Sequence, residues 1–358
     1  MVLNKLKKGK SGGPDGIVNE IIKHSSIVTL TSIAKLFNLI LKTGFYPFNW
    51  NKSYLTLLHK SGSKYYPSNY RGISLMNCIS KIFSAILNAR LISLMKSKYS
   101  NTQFGFRENH RTSDSLFILK SIINKYIHKN KKKLFICFVD LKKAFDSVWR
   151  NGLLYKLAKN SVGRRLFQVI KNQYSRTETA LKFNNACSTF FETYRGVRQG
   201  DSISPTLFNI FINDLEKITA CESSMSPKLV DSNVGSLLFA DDLVILSETK
   251  EGLQNSMDNL GVFCDNWKLT LNIDKTKSMV IQQKSSHQND SFISYKNNML
   301  QNVTEYRFLG SLLKNNGNLN HSLEDLAKKG RKVLFSMKAK TSSLGNIPIE
   351  VSNNLFDK

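Results

Sequence analysis

A mixed fold of helices and antiparallel strands is what this sequence predicts, on three observations. Apolar residues recur at helical spacing over 27–42, 78–98, 115–127 and 251–268. The continuous apolar run LFICFV at 134–139 ends in Asp140 and reads as a strand buried on both faces. The stretch SLLFADDLVILSE at 236–248 sets Asp241 and Asp242 between two short apolar runs, the pattern of a buried β-hairpin with an acidic tip.

The remaining elements follow in order. A basic segment and a Gly-Gly-Pro turn precede the first helix, and GFYPFNW at 44–50 ends it. SYLTLLHK at 53–60 reads as a strand, and the polar loop at 61–75 leads to a second one. NTQFGFRENHRTSD at 101–114 reads as loop, and KNKKK at 129–133 as an exposed basic turn. Residues 144–159 and 205–219 each read as one helix, the latter with Pro205 in its first turn. LNIDKTKSMVI at 271–281 is a turn into a strand, and TEYRFLGSLL at 304–313 a second hairpin. The tail from 320 is basic and helix-like as far as NIP at 346–348.

With 358 residues, 41% of them hydrophobic, the chain can bury the core of two or three subdomains. Its 52 Lys and Arg against 26 Asp and Glu leave a net charge of +26. That balance implies a polyanionic partner, nucleic acid first and an anionic membrane surface second. The five cysteines, at 78, 137, 187, 221 and 264, form no CxxC pair and so suggest neither a zinc ribbon nor a disulfide framework. The expected place is intracellular, in nucleus or cytoplasm. No secretory signal is seen, and no apolar run approaches the ~20 residues of a membrane span.

In so basic a chain, a carboxylate pair at a hairpin tip is more than surface decoration, although an acidic turn is the plain alternative. Asp140 and Asp241 each end an apolar strand. Neighbouring antiparallel strands could bring both to one sheet edge, where two or three carboxylates hold two Mg²⁺ ions ~3.5–4 Å apart. Magnesium takes oxygen ligands and keeps waters, so few protein carboxylates are needed. Asp241 and Asp242 diverge as neighbours, one facing Asp140 as a ligand and the other accessory. Within a basic groove such a site suits phosphoryl transfer on nucleic acid.

FVDLKKAFDSV, RGVRQGDSISPTLFNIFINDL and FADDLVIL, in that order, resemble the three palm motifs of reverse transcriptases, most of all those of non-LTR (LINE-type) retrotransposons. GKSGGPDGI, GFYPFNWNKSYLTLLHKSG, SNYRGISLMNCISKIFSAILNARL, TQFGFRENHRTSD, WKLTLNIDKTKSMV and EYRFLGSLL agree, so the resemblance runs through nearly the whole chain. It implies an α+β right hand: fingers at about 1–130 and 147–200, a palm with an antiparallel sheet at about 131–146 and 201–315, and a partial thumb at 316–358. It implies an RNA-directed DNA polymerase that joins dNTPs to a DNA primer on an RNA template, with two Mg²⁺ ions for which Mn²⁺ can substitute. No endonuclease, RNase H or Cys/His module is recognised, so a fragment of a longer element-encoded protein is expected, inactive if the truncation is severe. A group II intron-type maturase or an RNA-dependent RNA polymerase fits RGVRQGD and WKLTLN less well. A silent nucleic-acid-binding relic fits the intact carboxylates less well.

The resemblance also implies roles by position. Asp140, Asp241 and Asp242 are metal ligands and catalytic, and the backbone after Asp140 runs along the triphosphate. Phe145 is the bulky residue beneath the sugar that leaves no room for a 2′-hydroxyl, and Asp146 is a structural cap or ion pair. Gln199 and Gly200 meet the incoming nucleotide and template, and Arg198 contacts phosphate or is solvated. Arg71 clamps the triphosphate with its planar fork, although Gly72 stands where the family usually has Pro, and Lys64 is a weaker phosphate candidate. Lys275, narrowly ahead of Lys277, is the general acid for pyrophosphate. Phe308, Leu309 and Gly310 match the primer grip. Phe239 keeps the ring but not the hydroxyl of the Tyr often found there.

Overall fold

The computed structural model describes residues 2–183, 186–219, 225–283, 292–318 and 320–342. The predicted first helix forms as α1 (Ile27–Thr43), with Ser26 accepting from Thr29 N at its start and Gly44 in the left-handed region at its end. β1 (Lys52–His59) and β2 (Tyr70–Met76) pair antiparallel. α2 (Cys78–Met95) is, among the described residues, the one helix long and apolar enough, by length and composition, to cross a membrane. Its Phe83, Leu87, Leu91 and Met95 are fully buried in the protein core. α3 (Thr112–Ile123) begins where Asp114 accepts from Arg111 N at 2.8 Å, and it widens into a π turn at Asn124–Lys129.

β3 (Leu134–Val139) forms as predicted, but the helix expected over 144–159 is broken. A single turn, Ala144–Ser147, precedes α4 (Arg150–Lys159). The carbonyls of Phe145 and Val148 accept from Val197 N and Gly196 N, each at 2.9 Å. The passing motif thus takes acceptors that a continuous helix would use itself. α5 (Arg164–Ser175), β4 (Thr177–Phe183), β5 (Ala186–Cys187) and β6 (Phe191–Thr193) follow. α6 (Ser204–Ile212) ends early because Lys156 Nζ takes the Phe211 carbonyl, and helix resumes only at Leu215–Thr219.

The acidic hairpin consists of β7 (Ser236–Phe239) and β8 (Asp242–Ser247). Then come α7 (Lys250–Trp267), β9 (Lys277–Ile281), β10 (Gln301–Asn302), the hairpin of β11 (Glu305–Phe308) and β12 (Ser311–Lys314), and α8 (Asn320–Ser342). Cys221 and the tail beyond 342 lie outside the described residues. Residues 102–104, read as loop, run along β7: Leu238 N donates to Thr102 O at 2.9 Å, and Phe104 N to Leu238 O at 2.8 Å.

One five-stranded sheet has the order β2-β1-β4-β5, with β6 on β4, and a second has the order β10-β9-β3-β8-β7. β3 lies at the centre of the second sheet, antiparallel to β8 and β9. Alternation sends Cys137 and Val139 into a core with Phe83, Phe208 and Phe263 of α2, α6 and α7. Leu134, Ile136 and Phe138 enter another, with Leu119 of α3 and Phe308 and Leu313 of the β11–β12 hairpin. Both faces are covered, which is why the β3 sequence is apolar without interruption.

Candidate active site

Val139 pairs with Leu243 across β3 and β8. The next residues outward are Asp140 and Asp242, so both leave the sheet at the same edge. Phe239 pairs with Asp242 across β7 and β8, which leaves a two-residue turn of Ala240 and Asp241. Ala240 has φ +59°, a left-handed conformation costing a residue with a Cβ roughly 1–2 kcal/mol.

Asp241 and Asp242 both feel the charge of Asp140. Loss of hydration raises the Asp241 carboxyl and the Asp140 charge raises it further, while Arg71 and Lys60 pull it back. Asp242 is pushed up to about 6, by lost hydration first and then by Asp241 and Asp140. Tyr306, stacked on Phe138 with ring centroids 4.1 Å apart, is pushed up to about 12 by burial, then by Asp140 and Asp242. Among the described residues, no three His, Cys, Asp or Glu side chains converge on one point. The carboxylates are instead divided between two strand ends and a turn.

The segment 270–276 straps Asp140 in place. Asp140 N donates to Thr276 Oγ1 at 3.2 Å, and Asn272 N donates to Asp140 O at 2.8 Å. Lys275 is exposed on this strap, whereas Lys277 donates Nζ to Gln301 Oε1 at 2.6 Å. Arg71 stands exposed on β2. Gly200 adopts φ +115°, and a Cβ there would lie 2.7 Å from Ser74 O of the same strand. Ser74 N donates to Gln199 O at 2.7 Å, and Gln199 Nε2 donates to Asp146 Oδ1 at 2.9 Å. Asp146 therefore orients Gln199 rather than capping a helix or pairing with a cation. Phe145 is half-buried, with Phe208 beneath it and the Phe106 ring 5.9 Å away edge-on. Phe308 is buried against Phe138, and Leu309 and Gly310 make the turn between β11 and β12.

Residues 58–313 match the family model described as reverse transcriptase (RNA-dependent DNA polymerase). The chain belongs to the reverse transcriptase family. Among its relatives are two proteins of Drosophila melanogaster, the probable RNA-directed DNA polymerase from transposon BS and that from mobile element jockey. They are 27% and 26% identical to it, over 87% of this chain and 34% of their own length in each case. The Pol polyprotein from type-2 retrotransposable element R2DM of the same species is 27% identical over 86% of this chain and 29% of its own length. These names mark the chain as a reverse transcriptase of the non-LTR type, spanning about a third of the length of the curated relatives it matches. Apo telomerase from Candida tropicalis, truncated from its C-terminal domain, shares the fold, with a TM-score of 0.53 at 14% identity over 80% of this chain and 58% of that one. Reverse transcriptases generally use divalent metal ions.

Within this reverse transcriptase, Arg198 is neither solvated nor aimed at phosphate. It is buried, 3.8 Å from Asp201, and donates to Trp50 O at 3.3 Å and Gln173 O at 3.5 Å. Lys60 acts with Arg71 to lower the Asp241 carboxyl. Lys60 sits one residue past β1, and only the folding of the β1–β2 hairpin toward the carboxylates reveals it. Thr276 and Tyr306 are equally hidden in the sequence: each lies inside a recognised motif, but its neighbour, Asp140, is brought to it by tertiary structure.

Proposed function

We propose that this chain polymerises DNA on an RNA template, joining dNTPs to the 3′ end of a DNA primer by two-metal phosphoryl transfer. The observation that carries this reading is the β3–β8 register, which brings Asp140 and Asp242 to one edge beside Asp241. The donor set fits a hard cation. It is oxygen only, its mutual repulsion calls for positive charge, and Mg²⁺ would complete its shell with water and substrate oxygens. Mn²⁺ would be an acceptable substitute. Asp140 and Asp241 would hold the two ions, with Asp242 accessory. Bound there, the ions supply neutralisation of the charge on the transferred phosphoryl group.

The other residues position the substrate. Arg71, with Lys60, would hold the triphosphate, and their effect on Asp241 supports that nearness. Phe145 would lie beneath the sugar, with Gln199 and Gly200 at the nucleotide and template. Lys275, exposed and so free to reach the leaving pyrophosphate, is favoured over Lys277 as general acid. The turn at Leu309 and Gly310 would meet the primer, with Phe308 as its buried anchor. In this reading the fingers comprise about 1–130 and 147–200, the palm about 131–146 and 201–315, and the thumb begins at about 316. The setting is intracellular. The test is primer extension on an RNA template with dNTPs and Mg²⁺. DNA product made by the chain and not by Asp140→Asn supports the reading, and failure to extend any primer with either metal overturns it.

A further inference from the structure

The turn that carries Asp241 is held from outside its own hairpin. Ala240 is the first central residue of a two-residue turn, a position whose N–H the turn itself does not use. Gln103 supplies the acceptor. Its side chain is almost wholly buried, and Oε1 accepts from Ala240 N at 3.2 Å and from Gly105 N at 2.8 Å. Gly105 lies directly against the same turn, since a Cβ there would fall 2.1 Å from Ala240 N. Asn209 of α6, also buried, fixes Gly105 in turn by donating Nδ2 to its carbonyl at 2.7 Å. The backbone on either side of Gln103 is bonded to Leu238 of β7.

Resting on the catalytic reading above, we infer that Gln103 is a positioning residue for Asp241. Seated on Gly105, it holds Ala240 in its left-handed conformation and so holds the following carboxylate at the edge it shares with Asp140. Two features say why an outside hold is needed. Ala240 is in a conformation unfavourable for a side chain with a Cβ. The acidic residues at the tip also repel one another. A third feature separates this role from ordinary packing. Gln103 Oε1 serves two buried backbone donors at once, Ala240 N and Gly105 N, and an isosteric Met would leave both without an acceptor.

The test uses the full chain and compares wild type with Gln103→Met. The variant should lower the thermal midpoint by a few degrees, since two buried N–H groups lose their acceptor, and leave its KM for primer–template unchanged. Its kcat should fall about 10- to 100-fold, the size of effect a misplacement near 1 Å produces, and it should need more Mg²⁺ for half-maximal rate. Wild-type kcat and Mg²⁺ dependence in the variant would overturn the proposal. A second measurement needs no variant. In the unaltered protein, the Ala240 amide should exchange with solvent hydrogen as slowly as the amides of β8, and rapid exchange there overturns the proposal even if Gln103→Met does not fold. Asp241→Asn separates the two layers. If it extends primers normally the catalytic reading fails, whereas the exchange result speaks only to Gln103.

Discussion

The ring of Phe145 lies on that of Phe208, with centroids 4.6 Å apart and planes 17° apart. Phe208 is fully buried in α6, so it gives Phe145 a rigid backing. A wall that excludes a 2′-hydroxyl must not yield, and stacked aromatic pairs contribute about 0.5–1.5 kcal/mol beyond area burial. Phe145→Val should therefore raise the ratio of rNTP to dNTP specificity constants by tenfold or more, an effect on the order of 1–3 kcal/mol for a change of a few methylenes in a pocket. Phe208→Leu should move the ratio the same way by less. If neither ratio moves, Phe145 serves packing only.

The carboxylate edge should trade stability for chemistry. Asp140→Asn and Asp241→Asn should each lower Mg²⁺-dependent nucleotide addition by about a thousandfold or more, the several kcal/mol a metal site contributes to a barrier. Binding of primer–template should be unchanged. Asp242→Asn should leave the metal-free protein slightly more stable, because it removes a charge that lost hydration and two like neighbours disfavour. Asp242 is exposed, so solvent screening keeps the gain below about 1 kcal/mol. Calorimetry in chelator checks this, and a lower midpoint for Asp242→Asn would contradict it.

What could be read in the sequence was what depends on local pattern. The β3 run is continuous because both faces are buried, and the hairpin at 236–247 announces itself because its arms are apolar and its tip is not. Asp140, Asp241 and Asp242 stand out singly for the same reason, as charges ending apolar runs, whereas the other site residues are marked only by the resemblance. What was hidden depends on partners distant in the chain. The break after Ser147 comes from Gly196 and Val197 capturing two carbonyls. The polar stretch around Gln103 carries no strand signal because its pairing is with the backbone of Leu238. Arg198 reads as a surface cation because the groups that bury it beside Asp201, namely Tyr174, Gln173 and the Trp50 carbonyl, come from distant parts of the chain.

A net charge of +26 predicts template binding dominated by phosphate contacts. The logarithm of the association constant should fall linearly with the logarithm of salt concentration, with a slope near −0.7 per phosphate contacted on a single strand. Template sequence should change the intercept little. Fluorescence anisotropy with two unrelated RNA sequences at several salt concentrations measures both, and a flat titration would argue against a broad basic groove.

The buried pair of Arg198 and Asp201 should behave as a structural strut. Asp201 also accepts from Gln173 Nε2 at 3.0 Å. Asp201→Ala leaves a buried guanidinium without its counter-charge, which typically costs about 3–5 kcal/mol. Urea unfolding should show that loss as a lower midpoint. Replacing both residues with apolar ones of similar volume should recover much of it. A single-variant loss under about 1 kcal/mol would mean that Arg198 can reach solvent.

Lys156 offers a pH test of the core. It enters a pocket of aromatic rings, 3.8 Å from the Trp267 centroid and 4.8 Å from that of Phe263, and pairs with Asp214. Burial outweighs the pull of Asp214 and lowers its ammonium to about 8 from the ordinary 10.5. Below pH ~8 the group is charged in both folded and unfolded chains, and its desolvation cost is present in full. Between ~8 and ~10.5 the unfolded chain holds more protons than the folded one, so this group makes stability rise with pH. Going from pH 7 to 9.5, wild type should gain on the order of 1–2 kcal/mol relative to Lys156→Met, since a tenfold change in proton affinity is worth about 1.36 kcal/mol. Denaturant unfolding of both proteins at the two pH values isolates the difference from every other titrating group. A constant difference would show that the rings and Asp214 hold the ammonium charged throughout.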